Sequence, residues 1–181
     1  MGYAIAAVII IALIAACVWT AMAQAAKERE RRALLVWEAR QFMEDIKERR
    51  ALLVVTTGIN LKDGENAFYS EESELYETRA VRVDESVSRQ RWTRIDAGTL
   101  TLTNKRLIFD GNSANRTMIL SKVISAVPNV NGVEVSVENR QKSMVFDAES
   151  PLILASLIRI CCQVKNPLDL SQVALNVIYD E

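Results

Sequence analysis

The densest group of side chains suited to binding chemistry is Arg89, Arg91, Trp92 and Arg94, four residues within six positions. A guanidinium fork can hold two phosphate or carboxylate oxygens at once, and a Trp ring favours the boundary between lipid and water. Lys105 lies eleven positions after Arg94, at the hairpin turn, and would add another cation. These five residues form a candidate site for anionic phospholipid head groups. Glu71, Glu72, Glu74, Glu77, Asp84 and Glu85 are close in sequence. They could instead neutralise the cluster and leave it an ordinary solvated strand and loop.

Other chemistries find less. Histidine is absent, which removes Ser-His and Cys-His nucleophile pairs and the commonest neutral metal ligand. Of the three cysteines, Cys17 sits in an apolar run, and Cys161 and Cys162 are adjacent. Neither arrangement suits a disulfide framework or a zinc site. The acidic stretch 71–77 lacks the alternating ligands and central Gly of a calcium loop. No Gly-rich phosphate loop occurs. Asp63 and Glu65 flank Gly64, a pattern of turn chemistry. The expectation is a non-enzymatic protein with no metal and no cofactor. Its rival is an enzyme using carboxylates or lysine, which would need a deep polar pocket. With 22 basic and 23 acidic residues, no whole-chain field points to nucleic acid.

The elements that must position this cluster begin with an anchor. No charged residue precedes Lys27, and from 3 to 23 only Thr20 is clearly polar. Some twenty helical residues at ~1.5 Å each span about 30 Å, the hydrocarbon thickness. The sequence therefore predicts a single transmembrane helix. Lys27, Arg29, Arg31 and Arg32 follow it, so the positive-inside rule places the C-terminal side in the cytoplasm of a cell membrane. Ala21-Met22-Ala23 resembles a signal cleavage site and Ile14-Ala15-Ala16-Cys17 a lipobox, so an exported protein or lipoprotein stays open. Myristoylation at Gly2 is disfavoured by Ala6.

Residues 24–50 contain no Gly or Pro and favour a helical connector. Leu35, Ala39, Phe42 and Ile46 draw one apolar stripe. The stripe could be a homodimer seam, or it could pack on the protein's own domain or on the membrane. The apolar run 51–55 reads as an edge strand or a buried linker.

From about 59 the texture becomes short β-type runs. Residues 67–70 and 74–83 are two candidates separated by acidic residues. Residues 98–103 alternate, with Leu on one face and Thr on the other, and a turn at Asn104-Lys105 returns through 106–109. Further strands are expected at 116–120, 133–138 and 142–146. Ser150 and Pro151 then open a helix with Leu154, Leu157, Ile158 and Cys161 on one face, and Pro167 closes it. The tail retains enough apolar residues to dock.

Gly98-Thr99-Leu100-Thr101-Leu102-Thr103-Asn104-Lys105-Arg106-Leu107-Ile108-Phe109 resembles a signature of bacterial pleckstrin-homology-like (PH-like) and GRAM-like domains. Ile119-Leu120-Ser121-Lys122-Val123-Ile124, Asn131-Gly132-Val133-Glu134-Val135 and Ile59-Asn60-Leu61-Lys62-Asp63-Gly64-Glu65 are similar to the family's flanking patterns. The likeness implies an α+β, mainly β, fold: a barrel or sandwich of about seven strands capped by one C-terminal helix. It is poorly specific for function, because such barrels host lipid binders, protein binders and structural modules. The expected organisation is an anchor over 1–26, a connector over 27–58, the PH-like domain over 59–165 and a tail over 166–181. The expected role is a membrane-anchored module that binds a protein partner, with anionic lipid as the alternative ligand.

Overall fold

In a computed structural model the backbone is described for residues 2–84, 87–140 and 142–171, and side chains for 15–79, 91–140 and 142–171. The chain forms two compact units, Met1–Glu38 and Ala39–Glu181. One helix, α1 (Gly2–Arg49), supplies all of the first unit's described structure and opens the second. Among the described residues, no helix is long and apolar enough to cross a membrane. Most of the apolar run 3–23 that predicts an anchor lies outside the residues whose side chains are described.

Within the second unit, α1 uses its stripe locally. Ala39, Met43 and Ile46 are buried, and Met43 and Ile46 join the core, with Phe42 packed against it. Three of the four stripe residues are thus occupied inside their own domain rather than held free for a dimer seam. Arg50 ends the helix in the left-handed region, at φ 57°. Its carbonyl accepts from Leu170 N–H at 2.7 Å. The run 51–55 is not a strand. It is an irregular segment tied on both sides, by Leu52 N–H to the Pro167 carbonyl and by Val55 N–H to the Ala67 carbonyl. Leu170 is fully buried, so the described part of the tail docks as expected.

Seven antiparallel strands follow: β1 (Ala67–Asp84), β2 (Val87–Thr103), β3 (Arg106–Gly111), β4 (Arg116–Ile119), β5 (Val123–Pro128), β6 (Gly132–Val137) and β7 (Met144–Asp147). Helix α2 (Pro151–Gln163) ends the fold. The strand order is β4-β3-β2-β1-β7-β6-β5. The sheet is open, not the closed barrel that the sequence allowed, because β4 and β5 are its two edges. They are joined by chain through a 3-10 turn, Leu120–Lys122, rather than by a ladder. The sheet nevertheless curls. Phe109 on β3 and Phe146 on β7 are three strands apart in the order, yet their ring centroids lie 5.8 Å apart. Helix α2 fills the curl with Leu154, Leu157, Ile158 and Cys161, all buried. Ser150 stands at its N-cap without a side-chain cap bond. The free edge at β5 is partly covered. The Arg159 fork donates to the Ala126 carbonyl at 2.9 and 3.2 Å, and Pro128 has no N–H to offer.

Two sequence expectations about strands change. The candidates at 67–70 and 74–83 are one strand, because the acidic residues between them stay in the pleat. The stretch 87–97 also belongs to a strand, although it lacks apolar alternation. It has no β3 partner there, and among its described side chains only Ile95 packs against the core cluster.

Candidate functional site

The long β1–β2 hairpin positions the basic cluster. Strand β7 pairs with β1 only up to Glu77, and β3 pairs with β2 only from Gly98. From Thr78 opposite Trp92 to Asp84 opposite Val87, the two strands pair with each other alone. Seven residues at ~3.3 Å each make a two-stranded arm of about 23 Å.

Register sorts the arm's described side chains by face. Arg79 lies directly opposite Arg91, in line with Glu77 and Thr93. Thr78 lies opposite Trp92, in line with Tyr76 and Arg94, and strand alternation puts this set on the other face. Arg79 and Arg91 are exposed, and Trp92 is 47% exposed. Arg89 pairs with Val81 in the ladder, but its side chain lies outside the described residues.

The nearest carboxylates whose side chains are described, Glu74 and Glu77, are engaged elsewhere. Glu74 binds Arg94 at 2.9 Å and accepts from the Tyr76 hydroxyl. Glu77 is shared by Arg140 at 2.6 Å and Arg116 at 3.4 Å. Among the described residues, no carboxylate forms an ion pair with Arg79 or Arg91. Like charges directly across a strand pair repel, and Glu77, the next carboxylate on this face, is already shared by Arg116 and Arg140. Arg79 was not legible as part of the site, since only the hairpin register brings it to Arg91.

Lys105 does something else. Its Nζ donates to the Asp63 carbonyl at 2.7 Å. It belongs to a clasp formed by the β2–β3 turn on the segment before β1. Asn104 holds the Gly64 carbonyl and the Asn66 N–H at 3.0 Å each. Thr103 Oγ1 donates toward Glu65, and Arg106 grips the Glu65 carboxylate with two donors at 2.8 and 3.0 Å. The Glu65 side chain has no exposure and that of Arg106 has 20%. Burial alone would raise the Glu65 carboxyl. The bonds from Arg106, the Lys62 N–H and Thr103 outweigh it and hold the group at about 2. Thr101 and Thr103 are fully buried as well, so the end of the Thr face of β2 nearest the turn is covered. The signature stretch is therefore an internal latch.

An open cleft of about 480 Å³ lies beside β1, β2 and β3. Glu72, Glu74, Asp110 and Asp147 line it, with Gly98 and Thr99 between them. A Cβ at Gly98 would overlap the Asp110 carbonyl, so only Gly lets the strands approach there. The most strongly perturbed groups, Glu65, Tyr69 and Cys161, do not line the cleft. Among the described residues, no three His, Cys, Asp or Glu side chains converge to hold a metal ion.

No protein-family model matches the chain, and no curated protein matches it. Among solved structures it is similar to the C-terminal domain of an unknown protein from Leishmania infantum. The TM-score is 0.38 at 14% identity, over 56% of this chain and 88% of that one.

Proposed function

We propose that this chain is a single-pass, membrane-anchored, non-enzymatic module that presents a PH-like domain at the cytoplasmic face and binds a protein partner through the β1–β2 arm. The arm carries the proposal: Arg79, Arg91 and Trp92 stand exposed on a two-stranded ribbon beyond the rest of the sheet. Arg and Trp are the residue types that most often anchor protein interfaces. The apolar run 3–23, its basic flank and the unbroken helix α1 support the anchor and its orientation. The strand order and terminal helix support the PH-like reading.

Anionic phospholipid is the second reading, and Arg91 beside Trp92 favours it. Two observations favour protein. Arg94 and Lys105 are already engaged, with Glu74 and the Asp63 carbonyl. Arg91 and Trp92 also lie on opposite faces of the ribbon. A flat bilayer meets one face, whereas a protein groove can meet both.

The test compares full-length protein with R79E/R91E after mild solubilisation of native membranes. The proposal expects protein that co-isolates with wild type to fall at least about tenfold in the variant, the scale of one lost charge-paired contact. Unchanged co-isolation, with liposome flotation that requires both anionic lipid and Arg91, would move the conclusion to lipid.

A further inference from the structure

Arg79 and Arg91 are exposed and form no ion pair among the described residues, since Glu77 on their face is taken by Arg116 and Arg140, and the same molecule carries the complementary pattern. In the cleft, Glu74 is taken by Arg94, whereas Glu72 and Asp110 have no ion-pair partner among the described residues. Register places them on one row, because Thr99 pairs with Glu72 on one side and Asp110 on the other. Strands are ~4.8 Å apart, so these two carboxylates flank Thr99 about 10 Å apart. Two arginines opposite each other on a ribbon can splay to that width, and each fork can take one carboxylate.

The two surfaces cannot meet within one molecule. Glu72 and Arg79 lie on the same strand, and seven residues at ~3.3 Å separate them by about 23 Å. The carboxylates must come from elsewhere. We propose that a second copy of this chain occupies the arm, with Arg79 and Arg91 of one copy seated on Glu72 and Asp110 in the cleft of another. The inference rests on the reading of the arm as the contact surface and names its partner. The contact joins two unlike surfaces: a two-fold pair that makes it twice closes as a dimer, and a one-way head-to-tail contact makes a ring or a chain of copies. A net charge of −1 leaves little overall repulsion to resist it. Copies held in one membrane would also meet at high effective concentration.

The experiment measures energy transfer between labelled full-length copies in liposomes of neutral lipid, titrated by protein density. R79E/R91E and E72R/D110R are each expected to weaken self-association at least about tenfold, with an unchanged circular dichroism spectrum. Mixing the two variants restores one intact arm and one intact cleft, so association should return to within about threefold of wild type. Either double variant associating like wild type overturns the proposal, as does a mixture that stays dissociated. If R79E/R91E loses a different co-isolated protein but keeps self-association, this inference falls while the arm remains the contact surface.

Discussion

Replacing Glu65 with Gln removes the charge from the latch and keeps its shape. Each pKa unit is worth about 1.4 kcal/mol. The carboxyl is held at about 2 against an ordinary 4.5, so the displacement corresponds to about 3 kcal/mol of folding stability at neutral pH. Removing one partner of a buried ion pair costs about 3–5 kcal/mol. Arg106 keeps 20% side-chain exposure and can recover some water, so the lower end applies. The sign is that of a depressed carboxyl. Its contribution is complete above about pH 4.5 and is lost as pH falls toward 2. Glu65→Gln should therefore cost about 3 kcal/mol at pH 7, and the gap to wild type should close between about pH 4.5 and 2. Urea unfolding of the two proteins across this range, followed by circular dichroism, measures the gap. A gap that is the same at pH 7 and pH 3 would refute the reasoning, because the loss would then be one of shape and not of charge.

Phe146→Ala should cost about 3–5 kcal/mol in the same assay, since a fully buried ring that joins the two halves of the sheet is lost. Gly98→Ala should cost about 1–3 kcal/mol, because the methyl meets the Asp110 backbone. Tyr69→Phe should be neutral or stabilise by about 1 kcal/mol, as its buried hydroxyl makes no well-formed hydrogen bond and only the Glu71 carboxylate lies near it. Burial pushes the Cys161 thiol to about 12, so at pH 8 it should resist alkylation in the folded protein and react on unfolding; native labelling at the rate of a free thiol would contradict its place in the core. A cysteine placed at Ser113 should escape an impermeant reagent in intact cells and react after lysis, and labelling of intact cells would overturn the cytoplasmic orientation.

Legibility followed the core. The alternation of Leu100 and Leu102, the turn at Asn104-Lys105 and the periodicity of α2 each need apolar contact, and each left a pattern. The arm pairs with no third strand, and residues 87–97 carry no alternating apolar pattern, so the sequence does not mark their strand. Register was the other missing quantity. It placed Arg79 against Arg91, separated Trp92 from Arg91 and sent Arg94 to Glu74. The Thr residues of β2 show a different limit. Alternation reports which face is apolar, and it cannot report that residues 57–65 cover the polar face too, through Thr57 on Thr101 and Glu65 on Thr103. In the same way, the stripe over Ala39, Phe42 and Ile46 was visible as a stripe, but what it packs against was not.

The central claim is that the arm touches protein. A photoreactive residue in place of Trp92 in the full chain, activated in native membranes, tests it most directly. The account predicts a discrete protein adduct that disappears in the R79E/R91E background. Adducts to lipid alone, or a protein adduct indifferent to both arginines, would contradict it.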